Sequence, residues 1–147
     1  MSKLKYLVIH CTDTPEGREV YKKDIEQWHL KERGWSRVGY SDLIQLDGTL
    51  INFIEFDQDD TVDSWELSNG ARGYNGVSRH VVYSGGKGGD TRTNAQKTAL
   101  AVYVKYMIMR HPSIKVVGHN QLSTKSCPSF SVPKWLQEIG ISQTNIL

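Results

Sequence analysis

The chain has 147 residues, 38% hydrophobic and 23% charged, with 18 Lys/Arg against 16 Asp/Glu and a formal net charge of +2. That balance excludes a disordered or fibrous chain, and the length suits a single domain over residues 1–147 with its own hydrophobic core. The near-neutral charge, with no run of Lys/Arg, excludes the basic footprint of a nucleic-acid-binding protein.

Residues 4 to 11, LKYLVIHC, are rich in Leu, Val and Ile, which predicts a strand central in its sheet. Side chains alternate on a strand, so His10 and Cys11 point to opposite faces. After a polar turn, residues 22 to 33 predict a helix with Ile25, Trp28 and His29 on one face, stopped at Gly34. GYSDLIQL and TLINFIEF flank Asp47-Gly48, the composition of a two-residue hairpin turn. Residues 57 to 76 are acidic, then rich in Gly, Asn and Ser, and predict a long loop of the kind that is frequently functional. SRHVVYS predicts another strand, followed by a flexible turn, GGKGGD. Thr93 and Gln96 form a capping box for a helix running to about Arg110, before Pro112. Its expected core face carries Ala99, Val102, Tyr103, Tyr106 and Met109. IKVVGH predicts a short buried strand, and Pro133 opens a short terminal helix. The order β-α-β-β-β-α-β-α, with no repeats and no linker, implies an α/β fold: a single mixed central β-sheet flanked by helices.

The apolar run Tyr6 to Ile9 is too short for a signal-peptide core or a bilayer span. Synthesis in the cytoplasm without a signal peptide is therefore expected, and membrane insertion is not. In that setting Cys11 and Cys127 read as reduced thiols rather than a disulfide. His10 ends the first predicted strand and His119 the last, and sites collect at the carboxyl ends of strands, where loops converge. Cys127 follows His119 across a loop long enough to fold back beside it. Two imidazoles and a thiolate are ligands of the kinds zinc prefers, and three leave a fourth tetrahedral position open, as in catalytic sites. The spacing matches no zinc-finger pattern, so chemistry alone leaves two readings: a metal site, or separate core and surface residues. Plainer readings serve elsewhere. His29 packs on its helix face beneath the first strand, His111 is a solvent-exposed last-turn residue, and Cys11 is a small buried core residue.

VIHCTDT, WHLKERGW, VGY, LDGT, ARGYN and finally GHNQLSTKSCPSF occur in the order and spacing of the zinc N-acetylmuramoyl-L-alanine amidases. The chain resembles that family of small phage lysozymes, which includes the peptidoglycan-recognition proteins, from about residue 4 to about residue 136. The histidine followed by Lys-x-Cys-Pro-Ser is the most specific piece. The resemblance implies Zn2+ held by His10, His119 and Cys127, with Tyr40 and Lys125 as catalytic residues. It implies hydrolysis of the amide joining the lactyl group of N-acetylmuramic acid to L-alanine of the stem peptide. Peptidoglycan is then the partner, with no nucleic acid, and a monomer is expected. Relatives that only bind typically lack the metal cysteine, so Cys127 argues for an enzyme. Trp35, Arg72, Tyr74 and Asn75 are candidates for a sugar–peptide groove, because aromatic faces stack on sugars and Arg pairs with carboxylates; loop packing is the competing reading for each.

Three positions depart from the family pattern. Ser41 and Gly70 stand where histidines are usual, and His80 where glycine is. The two losses bear on substrate contacts and rate, and His80 is either a substitute or an ordinary strand histidine. Rival readings are a non-catalytic peptidoglycan-binding module, a regulator of a cytoplasmic partner, and a zinc peptidase acting on other substrates. Because peptidoglycan lies outside the membrane, a phage or prophage lysis enzyme, or one delivered into another cell, reconciles substrate with compartment.

Overall fold

In a computed structural model, which describes residues 2–147, seven strands follow in chain order. They are β1 (Ser2–Lys3), β2 (Tyr6–Cys11), β3 (Asp42–Ile44), β4 (Leu50–Asn52), β5 (Thr61–Val62), β6 (Ser78–Tyr83) and β7 (Lys115–Gly118). Five form the main sheet in the order β4-β3-β6-β2-β7. The apolar run of β2 is buried between β6 and β7, parallel to both, and within this sheet the β3–β4 hairpin alone is antiparallel. The mixed sheet flanked by helices is the architecture its patterning implies.

The helices cover opposite faces. On one side α2 (Asn94–Arg110) and α3 (Val132–Glu138) pack on Leu7, Ile9, Val81 and Tyr83. On the other, α1 (Lys22–Glu26) joins Val20, Ile25, Val38, Leu43 and Val82. From Gln27 to Glu32 the helix widens into π-type turns, with Arg33 N–H donating to Trp28 O, and it ends at Gly34 with φ +68°. Strand alternation puts His10, opposite Val82, on the α1 face, and Cys11, opposite Tyr83, on the other.

Four expectations are corrected. The hairpin closes through Gln45 N–H to Thr49 O, so its loop has three residues rather than two, with Gly48 left-handed at φ +87°. Residues 57 to 76 are not all loop, since Thr61–Val62 pairs antiparallel with β1. Third, α2 turns differently: Leu100, Val104 and Met107 face the core, while Val102 is 63% and Met109 67% exposed and Tyr106 points outward. Apolar residues surround this helix, so periodicity could not choose its packed face. Buried Gln96 sets the rotation, its amide donating to Ser84 O at 3.0 Å and its oxygen accepting from Thr93 N–H at 2.9 Å. Ala99 and Tyr103 sit at the margin of the core. Fourth, His111 is buried, not exposed. It folds back beyond the helix end against Phe56, with its Nδ1 2.7 Å from Asp60 Oδ1.

Thr93 caps α2 by accepting from Gln96 N–H at 3.0 Å and donating to Leu46 O at 2.7 Å. Thr93→Ala should lower unfolding free energy by about 1–2 kcal/mol, read as an earlier urea midpoint with an unchanged slope. No helix among the described residues is long and apolar enough to cross a membrane.

Candidate metal centre

The parallel strands β2 and β7 end side by side, and their last residues open a cavity of about 370 Å³. His10 and His119 lie in its wall with ring centroids 4.7 Å apart. The loop after β7 returns Cys127 to the end of β2, where Cys11 N–H donates to Cys127 Sγ at 3.2 Å. One donor atom from each of His10, His119 and Cys127 lies within 4.8 Å of the other two. His10 Nδ1 is 3.7 Å from Cys127 Sγ.

These donors suit a borderline-soft divalent ion. Both imidazoles are held neutral, as ligands must be. Burial, then the neighbouring His80 and His119, lowers the His10 pKa well below its usual value; burial, then the Lys125 ammonium, lowers that of His119. The Cys127 thiol is pushed up by its hydrogen bond with the Cys11 thiol, and further by burial. A bound cation reverses that direction, because coordination deprotonates a thiol. The Cys11 N–H contact already favours the thiolate.

Tyr40 and Lys125 line the same cavity. The Tyr40 ring packs 5.2 Å from both His10 and His29, and burial, then the two thiols, raises its pKa, so the phenol remains an O–H donor at neutral pH. Lys125 is exposed at the rim. Trp35 is also in the wall, its ring tilted 40° to that of His29 with centroids 4.7 Å apart. The other three groove candidates are not. Arg72 is exposed, Tyr74 packs edge-on against Tyr6 at 5.8 Å, and Asn75 hydrogen-bonds His80 behind the site. Ser41 is wholly buried, accepting from His80 N–H at 3.1 Å, whereas Gly70 lies in the wall.

Sequence reasoning missed Arg33, Asn69 and Asp13, which complete the cavity. Arg33 and His29 reach it from the π-type turns at residues 27–32, which no pattern in the residues signals. His29 accepts from Gly39 N–H at Nδ1, 2.9 Å, so that nitrogen's lone pair is engaged and the other carries the proton. A second group of donors, Asp57, Asp59, Asp63 and Glu66, contains only carboxylates. Asp57, Asp59 and Glu66 already accept from backbone N–H groups.

Burial sets an acid limit on the metal-free fold. It lowers His29 to about 4, aided by Arg33, and His80 to about 3, aided by His119 and Arg79. Below about pH 6.5 the unfolded chain binds protons that the folded rings refuse. Stability is therefore complete above that pH, is lost as pH falls through it, and goes on falling until about 4 and about 3. Each ring contributes a slope of at most about 1.4 kcal/mol per pH unit, less for His29, which borders the open cavity. Urea midpoints of metal-free protein should fall between about pH 7 and about pH 5, before most carboxylates titrate.

Residues 1–130 match the family described as N-acetylmuramoyl-L-alanine amidase (Amidase_2). The endolysin of Enterobacteria phage K11 is 31% identical over 134 residues, covering 88% of this chain and 83% of its own. Two solved structures share the fold. The Ph2119 endolysin from Thermus scotoductus MAT2119 bacteriophage Ph2119 gives a TM-score of 0.75 at 24% identity, covering 97% of this chain and 88% of that one. A Drosophila PGRP-LB mutant in complex with tracheal cytotoxin gives 0.74 at 19% identity, covering 100% and 85%. The conjunction of sheet, cavity and matched residues has one reading: the chain belongs to the N-acetylmuramoyl-L-alanine amidase family.

Proposed function

We propose that this protein is a zinc-dependent amidase that cuts the bond between the lactyl group of N-acetylmuramic acid and L-alanine in peptidoglycan. The observation that carries this reading is the convergence of His10, His119 and Cys127 at a cavity that also presents Tyr40 and Lys125. Family membership and the likeness to a phage endolysin support it. His10, His119 and Cys127 hold the ion, and Trp35 borders the bound sugar–peptide. The protein acts as a monomer, made in the cytoplasm and reaching the wall by release or delivery.

When bound, zinc supplies Lewis acidity toward the amide carbonyl and a water activated at neutral pH. The chain's own residues do the rest. Tyr40, kept protonated by its surroundings, donates a hydrogen bond to the carbonyl oxygen as negative charge grows there. Lys125, at the open rim, adds positive charge on the solvent side of the same oxygen. Hydrolysis forms a bond between a water oxygen and the lactyl carbonyl carbon and breaks the C–N bond, and one proton lost by that water passes to the departing nitrogen. The products are a lactyl carboxylate and a stem peptide with a free L-alanine amine.

Mass spectrometry of peptidoglycan digested with zinc-loaded protein tests this. Stem peptides beginning at L-alanine are expected, and chelation should suppress them. Muropeptides left intact by zinc-loaded protein would favour the second reading, binding without cleavage, which the complex of PGRP-LB with tracheal cytotoxin motivates.

A further inference from the structure

We infer that His80 is a positioning residue for the metal centre: a one-way run of hydrogen bonds from Ala71 through Asn75 and His80 fixes the tautomer of His10 and leaves its Nδ1 lone pair facing Cys127. This inference rests on the reading of His10 as a metal ligand.

The direction of each link is dictated by the one before it. Ala71 N–H donates to the Asn75 side chain at 2.9 Å, and a backbone N–H can only donate, so the atom it meets is the amide oxygen. That oxygen is 3.1 Å from His80 Nε2, which must therefore carry a hydrogen. His80 is fully buried, and its ring bonds to no carboxylate, so the ring is neutral and its Nδ1 is bare. His10 Nε2 lies 2.9 Å from that bare nitrogen and must donate to it. His10 is also buried and neutral, so its remaining lone pair is on Nδ1, 3.7 Å from Cys127 Sγ. Turning the Asn75 amide would set two donors against each other, and reversing the link between His10 and His80 would set two lone pairs against each other. Both ring nitrogens of His80 are thus engaged, which removes it as a fourth ligand.

Sequence and packing make room for this ring. Val8 lies opposite His80 and His10 opposite Val82, so the two histidines are diagonal neighbours on one face of the parallel pair. A Cβ at position 70 would sit 2.5 Å from His80 Nδ1 and 2.6 Å from Gly39 O, so only glycine there admits the imidazole. Ser41 Oγ accepts from the His80 backbone N–H and holds the strand from behind. Gly70, Ser41 and His80, the three departures from the family pattern, are one fitted set. Metal-ligating histidines are commonly oriented by such a partner on the far nitrogen.

The first measurement is the ring tautomer of His10 in isotope-labelled, metal-free wild-type protein, from long-range nitrogen–proton NMR correlations. The Nε2–H form is expected, and a predominant Nδ1–H form would overturn the inference whether or not zinc binds. The second is zinc affinity by chelator competition, alongside the urea midpoint of the metal-free protein. His80→Phe keeps a ring but no nitrogen, and should weaken zinc binding about 10–100-fold and mix the His10 tautomers. His80→Gln offers an amide oxygen to His10 Nε2–H and should recover most of that loss. Equal affinity in wild type and His80→Phe would also overturn the inference. Should His80→Phe fail to fold, the wild-type tautomer still decides. Failure of wild type to bind zinc would instead refute the ligand set, leaving the tautomer result separate.

Discussion

Cys127→Ser is expected to lower zinc affinity roughly 1,000-fold, about 4 kcal/mol, and to abolish release of stem peptides from peptidoglycan. Cys127 is the one donor of the three that becomes an anion, and a serine hydroxyl does not ionise at neutral pH. Cys11 cannot take its place. Its thiol hydrogen-bonds that of Cys127 and lies 3.8 Å from Ser129 Oγ, but it projects from the face of β2 away from His10 and is not among the converging donors. Cys11→Ser should therefore keep stoichiometric zinc, and the two serine variants form a matched pair. The metal-free fold should tolerate the change at position 127, with unfolding free energy within about 1 kcal/mol of wild type, because Cys127 sits at the partly exposed edge of the core. Zinc content after dialysis, competition with a chromogenic chelator and urea unfolding separate these effects. Stoichiometric zinc in Cys127→Ser would remove Cys127 from the ligand set.

Tyr40→Phe should reduce kcat about 100–1,000-fold while leaving zinc affinity and KM close to wild type. The substitution keeps the ring that packs on His10 and His29 and removes only the hydroxyl. Burial holds that hydroxyl protonated, so in the proposed reaction it is suited to donate a hydrogen bond rather than to abstract a proton. An interaction made mainly as the carbonyl oxygen gains charge appears in kcat, not in ground-state binding. Soluble muropeptide cleaved under saturating conditions gives kcat directly, and the zinc titration serves as control. A kcat within about threefold of wild type would exclude Tyr40 as a donor to the oxyanion.

Much of this protein was legible in its residues because the relevant signals are local. The apolar run of β2, the Thr93/Gln96 capping box and Ser131-Val132-Pro133 at the start of α3 each encode an element through short-range chemistry. Strand alternation alone separated His10 from Cys11, and the ordered motifs through GHNQLSTKSCPSF carried the family. What the residues could not settle depended on partners distant in the chain. The packed face of α2 was undetermined because apolar side chains surround it, and the long-range bond from Gln96 to Ser84 fixes its rotation. His111 is buried because Phe56 and Asp60 come to meet it. The strongest case is His80, which alternation could place on a face but could not connect to Gly70, Asn75 and His10. Hydrogen-bond direction and the space left by a missing Cβ exist only once β2, β6 and the loop at residues 69–75 are packed together.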